Sequence, residues 1–451
     1  MIRHHTLLLA TLLLTFSFRA QTAPPYELID IPAAVYSASA QGSAGGALYF
    51  PSGNTPGENP PADMRSQALV TLKRLEKNIT DAGLTLRDVA FVRAYLTPGP
   101  DGSTDYAGWN AAWSETFKDH KPARSTVGVP LLGRPGTLIE IEFVCLPASG
   151  AQLFASSDKL GLPQTNPRVK PYGTKEGRIY AGIGVLPGTA MYWTAGITPP
   201  VLDEKLPSTD RGYRGDMKTQ ARNTLLRLHE NLAAAGLSFK DVVYLRAFLA
   251  PDAHLQGNFD YDGWNAAYGE FFNTADMPHK PARTTVTTPT FGDPSMLIEI
   301  EIIAAFPAPP ALFDKAAGNP QLKAYGDAKS MIASGIAVNA PASLLFSAAA
   351  VPAQEGDLRA QALSTLATLE ERLAKAGLSF KDVVFLRAYV VPDKDGRIDR
   401  AGWSEAYGQY FNNASQPHKP ARTTIAVQSL PNPDWKIAID VVAASPRGVE
   451  P

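Results

Sequence analysis

The sequence contains a single cysteine, Cys145, among its 451 residues. One thiol cannot form an intrachain disulfide, and it cannot supply the paired thiolates of a structural zinc site. Cys145 lies in an apolar, strand-like run, so we interpret it as a buried thiol with a packing role. Three histidines recur along the chain at His120, His279 and His418. None of them has a second histidine or acid at metal-ligand spacing nearby, and we expect no metal and no cofactor.

Net charge is also nearly absent. The 42 lysines and arginines are offset by 43 acids, which leaves a formal charge of −1. A nearly neutral chain has no general attraction for nucleic acid or for an anionic membrane, and either partner would need a local basic patch. The basic residues are dispersed along the chain instead. We therefore expect no nucleic-acid partner.

Long apolar runs are missing except at the N-terminus. Residues 7–18 are apolar but too few for a membrane-spanning helix, which needs about 20. A short basic start at Arg3 precedes them, and the small residues Ala20 and Ala23 follow. This order is typical of a secretory signal peptide, here over residues 1–23, and predicts a periplasmic or secreted protein without membrane attachment after cleavage. An uncleaved anchor is the alternative, because neither alanine has a small residue at the −3 position.

What the sequence does contain is an internal repeat. The pentapeptide His-Lys-Pro-Ala-Arg ends at Arg124, Arg283 and Arg422, and each copy runs into a strand-forming stretch. A repeat of this size sets the architecture, and the chain has room for three domains of ~150 residues. We place the domains at residues 25–148, 168–308 and 320–446, joined by linkers rich in Pro, Gly, Ala and Ser.

Each repeat shows the same order of predicted elements. In the first repeat, apolar residues at helical spacing predict a helix over residues 65–82. A strand is predicted at 89–96, a second helix at 105–117 and a last strand at 138–146. The order β-β-α-β-α-β-β indicates an α+β fold, with two helices on one face of a mixed sheet.

The middle strand of the second repeat, residues 242–249, indicates what covers the other face. Alternation predicts that its odd-numbered residues, from Val243 to Leu249, face the helices. The even-numbered residues, from Val242 to Phe248, face away and are still largely apolar. A sheet that is apolar on both sides needs a second cover. Three such sheets can cover one another around a pseudo-threefold axis, so we predict a closed, monomeric, single-chain pseudo-trimer.

Several short motifs recur in a fixed order in each repeat. In the first repeat they are Ala68-Leu69 to Gly83-Leu84, Asp88-Val89, Trp109-Asn110, Pro122-Ala123-Arg124-Ser125 and Ile139-Glu140-Ile141-Glu142. This pattern resembles the RidA/YjgF family over nearly the whole mature chain, three times over. The resemblance implies a chorismate-mutase-like fold in trimers, with ligand pockets between the units. It also implies hydrolysis of reactive enamines and imines, such as 2-aminoacrylate, to 2-oxo acids and ammonia.

The resemblance also implies roles for individual residues. The pentapeptide arginine matches the family's carboxylate-binding arginine, and its fork of donors suits a carboxylate. The alternative is an arginine that ties its strand to a neighbouring acid. Glu140 and Glu299 match the family's water-activating glutamate and are the candidate catalytic residues. The candidate substrate-binding residues are Arg124, Arg283, Arg422, Ser52, Gly53, Gly196, Asn110, Asn265, Thr126 and Thr285.

Repeat three departs from this pattern. Ala438 stands where the first two repeats have the glutamate, and Ser404 replaces the asparagine. Ala349 replaces the glycine whose missing Cβ would allow close backbone approach. We therefore expect the site around Arg422 to bind weakly, differently, or only for structure.

A second acid, two residues after the first, is kept in every repeat, as is an arginine in the middle strand. Residues two apart lie on the same side of a strand. We therefore predict three ion pairs, with the rival interpretation that the arginines line a pocket or a central channel. The predicted pairs are Arg93–Glu142, Arg246–Glu301 and Arg387–Asp440.

Histidines and tryptophans also recur at matched positions. We interpret the pentapeptide histidines as capping the turn before the proline, with proton transfer near the pocket as the alternative. We interpret the tryptophans that open each second helix as core packing rather than a stacking platform. The residues are His120, His279 and His418, and Trp109, Trp264 and Trp403.

Three functions stay open. The first is an exported protein that binds small carboxylates at inter-domain clefts and hydrolyses enamines or imines at one or two of them, using Glu140 and Glu299. The second is a non-catalytic binding protein for a small acid metabolite. The third is an endoribonuclease, the activity given to some members of the family. The basic residues are dispersed, so the sequence shows no basic patch that would support RNA binding.

Overall fold

The computed structural model describes residues 26–30, 37–42, 45–118, 120–147, 160–203, 205, 212–308, 319, 322–327 and 329–445. The predicted signal peptide, residues 1–23, lies outside this part of the chain. Within the described ranges, no helix combines the length and the apolar character that crossing a membrane requires.

The described elements follow the same order three times. Repeat one contains β1 (Tyr26–Asp30), β2 (Ser37–Gly42), β3 (Leu48–Pro51), α1 (Met64–Asp81), β4 (Val89–Leu96), α2 (Tyr106–Thr116), β5 (Ala123–Gly128) and β6 (Ile139–Cys145). Repeat two contains β7 (Val169–Tyr172), β8 (Gly182–Val185), β9 (Met191–Thr194), α3 (Met217–Ala234), β10 (Val242–Leu249), α4 (Tyr261–Phe271), β11 (Ala282–Thr287) and β12 (Ile298–Ala305). Repeat three contains β13 (Leu322–Tyr325), β14 (Gly335–Val338), β15 (Ser343–Ser347), α5 (Leu358–Lys375), β16 (Val383–Val390), α6 (Arg400–Tyr410), β17 (Ala421–Ala426) and β18 (Ile437–Ser445).

The long helices begin and end where local chemistry requires. The side chain of Asp63 accepts a hydrogen bond from the backbone N–H of Ser66 at 2.9 Å, which satisfies one of the free donors at the start of α1. Gly83 follows the end of α1 with a φ of +79°, a conformation that favours glycine. The other two long helices have equivalent aspartate caps, Asp216 and Asp357.

Each repeat builds a mixed sheet. The middle strand β4 pairs in parallel with β5 and antiparallel with β6, and the other repeats copy this arrangement. The helices pack on one face, where Leu75 and Trp109 are fully buried with Cys145, as predicted for that thiol. The chain therefore has the predicted α+β architecture.

The repeats are joined into a closed ring by strands that cross between them. The third strand of each repeat pairs with a hairpin strand of another: β3 with β8, β9 with β14, and β15 with β2. The inner faces of all three sheets then share one apolar core, which contains Phe91, Tyr244 and Phe385. This is the predicted single-chain pseudo-trimer, although its hairpins bridge the repeats in a way that the sequence pattern did not indicate.

The predicted faces of Val242 and Val243 are wrong. The register of β10 against β12 shifts between Val242 and Tyr244, as a β-bulge does. Val242 consequently packs with the helix-side cluster and Val243 with the shared inner core. From Tyr244 to Leu249 the predicted alternation holds.

A ring of six buried charges surrounds the pseudo-threefold axis. The three predicted pairs are confirmed, and each arginine also reaches the acid of a second repeat. The inter-repeat pairs are Arg93–Asp440 at 3.1 Å, Arg246–Glu142 and Arg387–Glu301. Although burial acts in the opposite direction, Arg246 and Arg93 lower the pKa of Glu142 to about 2. The rival interpretation also holds in part, because all six residues line a central cavity of about 40 Å³.

Candidate functional site

Each pentapeptide arginine lies where its strand meets a loop of another repeat. The backbone N–H of Gly53 donates to the Arg283 carbonyl at 3.2 Å, and the N–H of Gly196 donates to the Arg422 carbonyl at 3.2 Å. The N–H of Ala349 donates to the Arg124 carbonyl at 3.3 Å. These contacts define three composite clefts, which we name by their arginines: the A cleft at Arg283, the B cleft at Arg422 and the C cleft at Arg124.

This cyclic arrangement divides the substitutions of repeat three between two clefts. Ala349 lies beside Arg124, and its neighbour in the loop pairs with the strand that carries Ala438. Both substitutions therefore belong to the C cleft. Ser404 stays with Arg422 in the B cleft, because both residues come from repeat three. The B cleft thus keeps Gly196 and Glu299, and the A cleft keeps every candidate residue.

The cation of the A cleft is held from two sides. Nη2 of Arg283 donates to Oδ1 of Asn265 at 3.0 Å. The guanidinium carbon lies 4.6 Å from the ring centre of Tyr268 and 5.5 Å from that of Trp264. Nη1 is buried and has no hydrogen-bond partner among the described residues. Arg283 is therefore a fixed, permanently charged group with a donor still available.

The loop from repeat one completes the A cleft. Oγ of Ser52 accepts from the backbone N–H of Arg283 at 2.9 Å and donates to the Tyr180 carbonyl at 2.6 Å. A Cβ on Gly53 would collide with the Glu140 carboxyl and with the Thr284 hydroxyl. Glycine is thus the residue that lets the carboxyl of Glu140 approach the loop.

Glu140 has the electrostatic environment of a proton donor. It is 6% exposed on β6. Burial raises the pKa of its carboxyl to about 8, the negative charge of Glu142 adds to this, and Arg283 and Arg246 oppose it. The carboxyl is therefore mostly protonated at neutral pH, within a cleft of about 210 Å³ that Arg283 and Thr285 also line. The Thr285 hydroxyl accepts from Nε1 of Trp264 at 3.1 Å, which fixes its orientation.

Tyr261 also lines the A cleft, and the sequence reasoning missed it. It is the first residue of α4, next to the aspartate that caps this helix. Its hydroxyl is buried and has no hydrogen-bond partner within the described ranges. The signal that could have found it is its position, because the first residue of each second helix points to the same junction.

The B cleft has the same acid but different cationic surroundings. The Arg422 guanidinium lies 4.5 Å from the ring centre of Tyr407. A Cβ on Gly196 would collide with Glu299. Burial raises the pKa of Glu299 to about 8, against the opposing charges of Arg400 and Arg422. The structure therefore brings Glu299 and Gly196 together with Arg422, not with Arg283 of their own repeat.

The C cleft keeps the cation side and loses the acid side. Nη2 of Arg124 donates to Oδ1 of Asn110 at 2.9 Å, and the guanidinium lies 4.8 Å from the ring centre of Trp113. Thr126 accepts from Nε1 of Trp109 at 3.0 Å. Ala438 supplies no carboxyl at the position of Glu140. The C cleft can therefore hold an anion but lacks that proton donor.

The recurring histidines and tryptophans have structural contacts. Nε2 of His120 is hydrogen-bonded to the Val89 carbonyl at 2.7 Å, and His279 and His418 make the equivalent contact. Burial lowers the pKa of His279 to about 4, so that ring stays neutral. The histidines thus fix the pentapeptide to the start of the middle strand. The tryptophans are buried beneath the arginines, as core packing requires.

The chain is similar to several known proteins over the length of one repeat. It is 36% identical to Protein DfrA of Myxococcus xanthus over 91 residues, which is 20% of this chain and 63%, or just under two thirds, of DfrA. It is 35% identical to a RutC family protein of Sulfurisphaera tokodaii over 99 residues, 22% of this chain and 70% of that protein. Among solved structures, the E. coli YjgF gene product is 26% identical to this chain. The match covers 22% of this chain and 79% of that chain, with a TM-score of 0.20. E. coli TdcF with bound serine is 23% identical. The match covers 27% of this chain and 98% of that chain, with a TM-score of 0.21.

A family profile covers most of the chain. The profile described as endoribonuclease L-PSP matches residues 29–146, 194–306 and 333–445, once in each repeat. The three matched segments make up more than half of the sequence. This chain therefore belongs to the RidA/YjgF family and contains the family's domain three times.

Proposed function

We propose that this protein binds small carboxylates in its inter-repeat clefts and hydrolyses enamines or imines of 2-oxo acids in the A cleft. The observation that carries the proposal is the composition of that cleft. Of the three clefts, only the A cleft combines an asparagine-held arginine, Arg283, with a protonated acid, Glu140, and the glycine at position 53.

Binding begins at Arg283. Its charged donors face a substrate carboxylate, and a hydrogen bond to a charged group contributes roughly 1.5–3 kcal/mol. Because Asn265 and Tyr268 hold the guanidinium, little freedom remains to be lost when the substrate binds. The substrate is thereby oriented with its C2 atom toward Glu140, which lies across the same cleft.

The chemistry then needs one group that gives and accepts a proton. For 2-aminoacrylate, Glu140 donates its proton to C3, which converts the enamine into the iminium ion. Water adds to C2 while the Glu140 carboxylate accepts a proton from that water. Glu140 passes this proton to nitrogen, the C–N bond breaks as ammonia leaves, and the hydroxyl group on C2 returns its proton to Glu140 as it becomes the carbonyl, so that 2-aminoacrylate and water give pyruvate and ammonia. No oxidant, reductant or cofactor enters this balance.

The location and partners of the protein belong to the same proposal. A basic start, a short apolar run and small residues before position 24 support export, to the periplasm or the outside. Closure of the ring within one chain supports a monomer, since the clefts are complete without a second copy. We include no nucleic acid or membrane among the partners. Intact mass measurement of the purified protein tests the loss of residues 1–23.

A second candidate function is carboxylate binding without catalysis. The C cleft supports it, because Arg124 and Asn110 are in place and Ala438 supplies no acid. Cleavage of RNA is supported only by the description of the family profile. The basic residues are dispersed along the sequence, so the charge pattern gives RNA binding no support.

Ammonia release from enzymatically generated 2-aminoacrylate tests the proposal. We expect the protein to accelerate release and Arg283→Ala to remove most of the acceleration. Arg124→Ala is the matched control, because it deletes the same group from a cleft without the acid and reports the cost of the deletion to the fold. Absence of acceleration by the unmodified protein, with butyrate binding still measurable, would favour the non-catalytic function.

A further inference from the structure

The first residue of the second helix differs between the repeats. It is Tyr106 in α2, Tyr261 in α4 and Arg400 in α6. In each case the preceding aspartate caps the helix, so the backbone at this position is the same. The tyrosines and the arginine therefore stand at matched backbone positions.

The loop of the adjacent repeat shows that Arg400 occupies the place of Tyr261. In the A cleft, a Cβ on Gly133 would lie 3.6 Å from Cε1 of Tyr261. In the B cleft, the equivalent glycine is Gly292, and a Cβ there would lie 3.1 Å from Nε of Arg400. Tyr261 lines the A cleft together with Glu140, Arg283 and Arg134, and the Arg134 guanidinium is paired with Glu58 at 3.4 Å. Arg400 is accordingly placed at the B cleft, beside Glu299 and Arg422.

The charge of Arg400 is held in position but not neutralised. Its Nη2 donates to the backbone carbonyl of Phe291, which anchors the side chain. Among the described residues Arg400 forms no ion pair, and its side chain is only partly exposed. A guanidinium fixed to a neutral carbonyl keeps its full charge, and it retains further N–H donors for a ligand.

The B cleft thus brings two cations together. Arg422 and Arg400 are the cations, and burial together with Arg400 lowers the pKa of Arg422, although a guanidinium stays charged. Glu299 is mostly protonated below about pH 8. No hydrogen bond joins Ser404 to Arg422 in the described part of the chain, whereas Asn265 occupies one donor of Arg283. Arg422 therefore has more donors available than its counterpart in the A cleft.

We propose that the B cleft binds a dicarboxylate, with Arg422 holding one carboxylate and Arg400 the other, while the A cleft accepts monocarboxylates. This inference rests on the proposed function in one respect, because Arg422 acts as the carboxylate anchor. It adds that one residue, Arg400, sets the substrate class of the second cleft. Tyr261 cannot do the same, because its hydroxyl carries no charge at neutral pH.

Calorimetric titration with butyrate and succinate tests the proposal, since the two acids have the same chain length and differ by one carboxylate. In the full-length protein we expect a single site that binds succinate about tenfold more tightly than butyrate, the factor expected from one further charged contact. Arg400→Tyr installs the residue of the A cleft and should abolish this preference. Arg400→Lys keeps the charge and should retain most of the preference for succinate. The reciprocal change, Tyr261→Arg, should create a second succinate-preferring site.

Equal affinities for the two acids, or a succinate preference that survives Arg400→Tyr in a protein with an unchanged circular dichroism spectrum, would overturn the inference. The proposed function is separable in the same titration. The loss of one butyrate site in Arg283→Ala, with the other sites kept, supports the proposed function whatever succinate does. If butyrate and succinate both fail to bind the unmodified protein, the carboxylate anchor itself is wrong and both proposals fall.

Discussion

The A and C clefts share a cation side and differ on the acid side. Arg283 and Arg124 make the same bond to an asparagine, at 3.0 and 2.9 Å, and both lie over aromatic rings. Across the cleft, the A site has a glycine and a glutamate where the C site has two alanines. The difference follows from the cyclic assembly, because the acid side of each cleft comes from another repeat.

The two alanines of the C cleft are compatible with each other for a physical reason. In repeat one, Gly53 is required because a Cβ there would collide with the Glu140 carboxyl. In the C cleft Ala438 has no carboxyl, so the Cβ of Ala349 does not meet one there. Glycine and glutamate are therefore one functional unit. The arginine is a separate unit that can persist without them.

The tyrosine at the entrance also differs between the two clefts. The Tyr106 hydroxyl of the C cleft lies 3.1 Å from Oγ of Ser429, so it is tied to the loop of repeat three. The equivalent loop position beside Tyr261 is Leu131, which offers no side-chain partner. Of the A and C clefts, it is therefore the A cleft whose entrance tyrosine has a buried hydroxyl without a hydrogen-bond partner among the described residues.

Removal of the Glu140 carboxyl should have the largest effect on the activity that we assign to the A cleft. Glu140→Gln keeps the shape of the side chain but removes proton transfer, and we expect the rate of ammonia release to fall by roughly 10²–10⁴. Glu299→Gln makes the same change in the B cleft and should affect 2-aminoacrylate hydrolysis far less. Initial-rate measurements on both variants check this. Equal losses in the two would mean that the A cleft is not the distinct site.

Replacing the loop glycine of the A cleft by alanine should make this loop resemble that of the C cleft. Gly53→Ala places a methyl group against Glu140 and Thr284, and displacement of a catalytic group by about 1 Å can cost up to ~10² in rate. We expect a loss of tenfold to a hundredfold. The reverse change, Ala349→Gly, is the control. It should leave ammonia release intact, because no carboxyl faces that loop in the C cleft.

Ligand binding should depend on pH in the A cleft and not in the C cleft. Below about pH 8 Glu140 is mostly protonated and neutral. Above that pH it becomes an anion beside the bound carboxylate, and the repulsion should lower butyrate affinity by about tenfold, the equivalent of one pKa unit. Ala438 cannot titrate. Titrations between pH 6.5 and 9 check this contrast, with Arg124→Ala plus Arg422→Ala reporting the A cleft and Arg283→Ala plus Arg422→Ala reporting the C cleft.

The sequence was sufficient for features that depend on spacing within one repeat. Apolar periodicity placed α1 and α2 within one residue of their observed ends, and β4 at its observed bounds. The alternation of side chains along a strand predicted that the second acid faces the arginine of the middle strand. The Arg93–Glu142 ion pair confirms this. Both predictions use local geometry that the backbone imposes on any sequence.

Features that depend on the assembly could not be read in the same way. The bulge near Val242 arises from the pairing of β10 with β12, and no residue at that position is specific to a bulge. The assignment of Ala349 to Arg124 rather than to Arg422 follows from the order of the repeats around the axis. Tyr261 was missed because its importance lies in the absence of a partner at Leu131, a residue more than a hundred positions away.

The smallest effect we predict is on stability, and it separates two acids on the same strand. The pKa of Glu140 is raised from an ordinary 4.5 to about 8, so between these values the folded state binds more protons than the unfolded state. Its contribution to the free energy of unfolding therefore declines as pH rises through this window, by at most about 1.4 kcal/mol per pH unit. Glu142 has the opposite shift, and its contribution is present above pH 4.5 and is lost as pH falls toward 2. Denaturant unfolding at pH 5, 6.5 and 8 should show a shallower decline in Glu140→Gln than in the unmodified protein. A slope unchanged by this substitution would mean that the carboxyl is not buried as a neutral group, and the A cleft would then lack the proton donor that distinguishes it from the C cleft.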